Sequence, residues 1–219
     1  MSPSLKVSTE PTQPHLGEFV KLISVSSDTS VPAWYSSLVL LLCFMLLAVV
    51  AIARRRNGDR FALRWAGLAL IFLYLSADEM LRLHERASDK IVQPAFKYLG
   101  VEASGLLNYP WIALYAPLVL VFALAYFGFW LALPAKPRIL FLAAAALFVG
   151  GGIGVEAFNA LYDDLYGHED LVAEAMTHLE ELFEMMGVVV FVYALLSYAA
   201  SDPLLRNLQV GVGEKNTPR

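Results

Sequence analysis

Charge is scarce in this sequence. Only 16% of its 219 residues are Asp, Glu, Lys or Arg, where a typical soluble domain carries about a quarter, too few to cover a globule of this size. Cysteine is nearly absent as well: Cys43 stands alone, which excludes an intrachain disulfide and the stapled scaffold of a small secreted protein. The 16 basic residues are outnumbered by 20 acidic ones, so there is no basic face for nucleic acid. A hydrophobic content of 58% excludes a disordered chain. What remains is a membrane protein, with the lipid bilayer as its first partner.

Five apolar runs are long enough to cross the hydrocarbon, which takes about 20 residues of helix. Lipid forbids unpaired backbone, so the expected fold is an all-α polytopic bundle of five transmembrane helices. The runs cover residues 33–53, 61–77, 111–133, 139–161 and 179–200. They divide the chain into a polar extracytoplasmic tail over 1–31, a membrane domain over 32–200 and a cytoplasmic tail over 201–219. Orientation follows from the basic residues, which stay on the cytoplasmic side. Arg54, Arg55, Arg56, Arg60 and Arg64 lie between the first two spans, and Lys136 and Arg138 between the third and fourth. Both connections belong inside with Arg206, Lys215 and Arg219, which puts the N-terminus outside. Trp34, Trp65, Trp111 and Trp130 sit near span ends, where an aromatic belt is expected. The first 31 residues are polar and the apolar segment after them has no cleavage signature, so this is an anchor and not a signal peptide. The expected location is a bacterial inner membrane, and no internal repeat points to an inverted-repeat transporter.

Sorted by this topology, the inner segments hold 10 basic and 3 acidic residues and the outer ones 6 basic and 17 acidic. At about 1.5 Å of rise per residue, Asp78, Glu79, Glu156, Glu180, Glu181 and Glu184 all reach one level, the outer boundary of the membrane. On a continuous second helix Asp78, Arg82, Glu85 and Asp89 share one stripe, Glu79 neighbours Arg82 and Arg86, and His84 points elsewhere. Asp78–Arg82 and Glu79 with Arg82 or Arg86 are ordinary helix-surface pairs. Two arginines cannot serve the seven acids Asp78, Glu79, Glu85, Glu156, Glu180, Glu181 and Glu184, however. The remaining carboxylates must be solvated in an outward cavity, protonated, or bound to a cation.

Carboxylate and imidazole ligands from facing helices hold metal ions in helical bundles. His178-x-x-Glu181 has the i, i+3 spacing, and Glu79, His84, Glu85, Glu156 and Glu184 complete the candidate set for a divalent metal, Fe, Mn or Zn. Asp78, Arg82, Arg86 and Glu180 are placed to pair with these ligands. His15 and His168 read as solvated loop residues. His84-Glu85 and His168-Glu169 each begin a zinc-protease motif, but Ser88 and Val172 occupy the place of its second histidine. The glycine run 150–154 is no phosphate loop. Gly150 and Gly154 have the small-xxx-small spacing of close helix contact, and Pro117 is placed to kink the third span.

The stretch from Leu75 to Glu79 with Leu83-His84-Glu85, and the stretch from Leu179 to Gly187, resemble segments of uncharacterised bacterial multi-pass membrane proteins. That resemblance covers spans two to five and implies no activity. The seven-span hydrolases of the alkaline ceramidase and progestin-receptor-like type also keep a metal site in a membrane bundle. This chain departs from them in span number and lacks their His-x-x-x-His, so their activity is not carried over.

Three functions fit the residues. The first is an outward-facing metal site between helices two, four and five, with metal-assisted chemistry on a lipid-like substrate. The second is proton- or cation-coupled transport on Glu156 and Glu184, against which no charged residue continues the path inward. The third is a structural subunit whose acidic outer layer meets a basic partner in a membrane complex or a second copy of the chain.

Overall fold

A computed structural model describes residues 31–167 and 171–206, and every regular element among them is helical. The polar N-terminal tail, His15, His168, Glu169 and the C-terminal residues from 207 onward lie outside the described residues.

Helix α1 runs Val31–Arg56, ending on three arginines that suit the negative end of the helix dipole. A tight turn leads into α2, Ala62–Leu81. Beyond it α3 (Leu83–Ala87), a π-helical turn (Ser88–Val92) and α4 (Gln93–Leu99) form a surface excursion. Then come α5 (Trp111–Leu131), α6 (Ala135–Val149), a second π-helical turn (Gly150–Val155), α7 (Glu156–Tyr166), α8 (Leu171–Ser201) and the short α9 (Pro203–Arg206).

Among the described residues four helices are long and apolar enough to cross a membrane: Ala33–Arg56, Trp111–Leu131, Ala135–Tyr166 and Leu171–Ser201. Helix α2 has 20 residues, but any 18 consecutive ones include Arg64, Asp78 and Glu79, so it falls outside that group. Helix α8 begins eight residues before the expected start of the fifth span, because its polar first turns over 171–178 are helical too.

Residues Leu40, Cys43 and Leu47 of α1 are fully buried, as is Trp65 of α2. Trp65 is 1% exposed, stacked on Tyr198 at 4.8 Å and edge-on to Phe129 at 4.9 Å. It is therefore a core residue and not part of a belt, whereas Trp34 is 58% exposed. Near its start α1 is tied to α2 by a reciprocal serine pair: Ser37 Oγ donates to the Ser76 carbonyl at 2.8 Å, and Ser76 Oγ donates to the Ser37 carbonyl at 2.9 Å. Each bond satisfies a hydroxyl that lipid cannot. Ser76→Val should lower the thermal unfolding midpoint in detergent, at a cost of about 1 kcal/mol per lost bond, while Ser76→Ala should cost less than the bulkier change.

At the other end, Arg54 bonds Asp59 at 3.1 Å and also Tyr198 and Asp202. Asp202 in turn caps α9 through the backbone N–H of Leu204 at 2.9 Å. One arginine thus joins the end of α1 to the end of α8, which the charge-sidedness reading did not foresee for it.

Helix α6 and its π turn pack closely on α8. A Cβ on Gly151 would lie 2.8 Å from the Glu180 carbonyl, and one on Gly187 would lie 2.7 Å from the Phe148 nitrogen. Gly150 and Gly154 meet nothing within 4 Å. The contact expected from the Gly150/Gly154 spacing is therefore made by Gly151 and Gly152 instead. The widened π turn shifts the register that an uninterrupted α-helix would have kept.

Candidate functional site

The second helix of the site ends abruptly. Arg82 has φ +48°, a left-handed conformation that costs a non-glycine residue about 1–2 kcal/mol. The chain folds back at this residue, and the single stripe expected through Asp78, Arg82, Glu85 and Asp89 does not form. His84, expected to point away, turns onto Asp78. Its backbone N–H donates to Asp78 Oδ1 at 2.7 Å and its Nδ1 lies 2.9 Å from Oδ2. Arg82 pairs with Glu85 rather than with Asp78 or Glu79. That pair is 43% and 42% exposed, so it is worth little to stability.

These residues edge a cavity of about 600 Å³ between α2, α3, the start of α5, the second π turn with α7, and α8. Of the residues expected from sequence, Asp78, Glu79, Arg82, His84, Glu85, Glu156, Glu180, Glu181 and Glu184 line it. His178 and Arg86 do not: both are exposed, and His178 Nδ1 donates to the Glu174 carbonyl at 2.7 Å. The reversed His178-x-x-Glu181 pair is thus not presented as a unit.

Each acid is held by its element. Glu156 opens α7, directly after the π turn, and its Oε1 accepts the indole N–H of Trp111 at 3.1 Å. Glu180 of α8 lines the same cavity as Glu156. Glu184 lies against the π turn, where a Cβ on Gly152 would overlap its Oε1, so the glycine makes room for the carboxylate. Among the described residues Glu79, Glu156, Glu180, Glu181 and Glu184 make no ion pair.

Aromatic and amide groups that sequence reasoning missed complete the wall. The Trp111 ring lies tilted against the His84 ring, their centroids 5.2 Å apart, and meets Tyr115 edge-on at 5.5 Å. Tyr109 donates to Asp163. Burial, with Asp163 beside it, holds the Tyr109 phenol above its ordinary range, so it stays a donor. Asn159, one turn beyond Glu156, reaches Thr177 at 3.3 Å. Its position three residues after an intramembrane glutamate was the available signal, since i and i+3 share a helix face. Trp111 was hidden by its fitness for a membrane belt. No three His, Cys, Asp or Glu side chains among the described residues stand together at metal-ligand spacing. The carboxylates surround a space instead of closing on a point.

Burial alone would pull the His84 imidazole below its ordinary value, but the hydrogen bond and charge of Asp78, with Glu156 and Glu85 beyond, hold it above. The charged form is therefore favoured in the folded chain. Its contribution to stability is fully present below about pH 6.5, the unfolded value, and is lost as pH rises through the higher folded value. Thermal unfolding of the wild type should show this loss as pH is raised, and His84→Gln should flatten the profile over the same window.

Residues 4–199 match the family described as Domain of unknown function (DUF8692). No curated protein and no solved structure matches the chain.

Proposed function

The chain belongs to this family of unknown function, and we propose from its own residues that it is a five-span protein of the bacterial inner membrane whose outward-facing cavity binds a divalent metal ion. In this reading α2 is the fifth crossing, its Arg64 reaching back to the inner headgroups and its Asp78 and Glu79 meeting the outer boundary. The division of charge, with 10 of 16 basic residues inside and 17 of 20 acidic ones outside, supports an external N-terminus and a cytoplasmic C-terminus.

The observation that carries the metal reading is the uncompensated charge of the cavity. Five glutamates from three helices line it with no ion pair among the described residues, and the Arg82 and His84 side chains in its wall are engaged by Glu85 and Asp78. Desolvated carboxylates in this number are costly unless something positive comes between them. A divalent ion relieves several at once. Held by these glutamates, such an ion would supply Lewis-acid chemistry, and the apolar residues Leu75, Val119 and Phe148 of the same cavity would hold an acyl chain beside it. A lipid-like substrate for a metal-dependent membrane enzyme fits this combination.

Transport is the second reading, and the gathering of Glu156, Glu180 and Glu184 on one cavity wall favours it. Towards the inner side, however, the cavity is lined by Leu40, Leu75 and Phe148 rather than by polar groups, which favours binding over passage.

The test is metal analysis of the full chain purified in detergent, incubated with Mn²⁺ and desalted. The expected result is a stoichiometric ion that is absent from a Glu156→Gln, Glu184→Gln double variant. Equal metal in the two proteins would overturn the proposal. A Glu184-dependent ion flux into liposomes would move the assignment to transport.

A further inference from the structure

At the Arg54 end of the bundle, away from the acidic cavity, three arginines lie on aromatic rings. Arg64, in the first turn of α2, sits over the Tyr126 ring at 5.3 Å, and Arg138, in the first turn of α6, over the Trp130 ring at 5.9 Å. Arg60, in the turn before α2, lies over Phe61 at 4.6 Å. The first two are built alike. The Tyr126 hydroxyl donates to the Arg64 carbonyl at 3.1 Å and the Trp130 indole N–H to the Arg138 carbonyl at 2.9 Å. Each ring is thus fastened to the backbone of the residue whose guanidinium it carries. Tyr126 and Trp130 stand one turn apart on α5, which thereby gathers one arginine from α2 and one from α6 at its end. Gly67 leaves the room for this, since a Cβ there would overlap the Tyr126 hydroxyl.

The chain gives these guanidiniums no anion of its own. None of Arg60, Arg64 and Arg138 pairs with a carboxylate among the described residues. The two described acids at this end, Asp59 and Asp202, both bond Arg54. Arg138 spends one N–H on the Leu131 carbonyl at 3.3 Å. A ring beneath a guanidinium holds its plane and leaves its edge, with the remaining N–H donors, to face a planar or tetrahedral oxyanion. The surface beside them is apolar: Leu63 is 77% exposed, and Phe127 and Leu131 of α5 are exposed too.

We infer that Arg64 and Arg138, with Arg60 beside them, bind the phosphate of an anionic phospholipid whose acyl chains lie along α5. Guanidinium forks match phosphate oxygens two at a time. A ligand that satisfies both the arginines and the exposed leucines carries phosphate and hydrocarbon together, as a lipid does. A zwitterionic headgroup would bring an ammonium for which this end has no spare carboxylate, so a lipid of net negative charge is favoured. The inference is independent of the metal reading and uses only that α5 crosses a bilayer.

The test titrates the full chain in a mild detergent with dioleoylphosphatidylglycerol and, separately, dioleoylphosphatidylcholine, and reads bound lipid by native mass spectrometry. Phosphatidylglycerol should bind at least about tenfold more tightly than phosphatidylcholine. Glycerol phosphate, which has the phosphate without the chains, should not displace it. The double change Arg64→Gln, Arg138→Gln leaves both ring-to-carbonyl bonds in place and should weaken phosphatidylglycerol binding at least about tenfold. Arg55→Gln, Arg56→Gln removes equal charge from exposed arginines at the same end and should leave binding within about threefold of wild type. Arg60→Gln alone should weaken it about threefold to fivefold, and decides the matter should the Arg64, Arg138 variant fail to fold. Equal affinity for the two lipids, equal losses in the two double variants, or wild-type affinity in Arg60→Gln would overturn the inference. Displacement by glycerol phosphate would overturn the lipid as ligand and leave a site for free phosphate.

Discussion

Glu184→Gln is expected to abolish divalent-cation binding while leaving the bundle folded and, without metal, at least as stable as wild type. The carboxylate of Glu184 lies against the π turn at Gly152, facing the cavity shared with Glu79, Glu156 and Glu180. Glutamine has the same shape, so the helix contact survives. What changes is the charge. Altering a group that merely orients a ligand costs about 10–100-fold in metal affinity, and loss of a ligand's own charge should reach at least the upper end of that range. The metal-free chain, by contrast, loses one of several mutually repelling carboxylates held away from water, and that change is neutral or stabilising. Paired binding and thermal-unfolding measurements on the two proteins check both halves. Unchanged binding would remove Glu184 from the site. A large fall in metal-free stability would mean that its charge serves the fold.

The second large effect concerns how α8 reaches the site at all. Gly187→Leu should prevent stable assembly, since even a Cβ there would sit 2.7 Å from the Phe148 nitrogen and 3.0 Å from the Ala144 carbonyl, both backbone atoms that cannot swing aside. Gly187→Ala already forces the two helices apart, at about 1–3 kcal/mol for overpacking, offset by up to about 1 kcal/mol of helix propensity. Gly150→Ala and Gly154→Ala meet open space, so propensity alone acts and they should be neutral or stabilising by up to about 1 kcal/mol. Thermal unfolding of the four variants separates the contact read from glycine spacing from the contact the fold makes. Equal effects of the alanine variants at Gly187, Gly150 and Gly154 would contradict the register set by the π turn.

These two cases show where sequence was sufficient. Hydrophobic length dictates the helices because lipid leaves the backbone no alternative, and the level of each glutamate follows from helical rise alone. That Glu79, Glu156, Glu180, Glu181 and Glu184 stand at one level was legible in that way; that they line one cavity comes from the structure. Rotation about the helix axis was not, because it depends on local breaks that periodicity assumes away. Arg82 in the left-handed region turned His84 toward Asp78 instead of away from it, and the π turn handed the close contact from Gly150 and Gly154 to Gly151 and Gly152. His178 looked like a ligand by spacing, yet the backbone carbonyl one turn earlier holds its Nδ1 outside the cavity. Asn159 and Trp111 were hidden for another reason. Each has an ordinary use in a membrane helix, and only contact with Thr177 and with Glu156 distinguishes them. The same charges that make α2 part of the site, Asp78 and Glu79, also place it outside the helices that are membrane-spanning by apolarity.

Whether the acidic cavity takes a cation is settled most directly by titrating Mn²⁺ into the wild-type chain and into Glu184→Gln under identical conditions in lipid nanodiscs, following the free ion by its resonance signal. Saturable disappearance of free Mn²⁺ at about one ion per wild-type chain, as a single site requires, with none in Glu184→Gln, is the expected result. Free signal that follows added Mn²⁺ equally in wild type, variant and empty nanodiscs would contradict it.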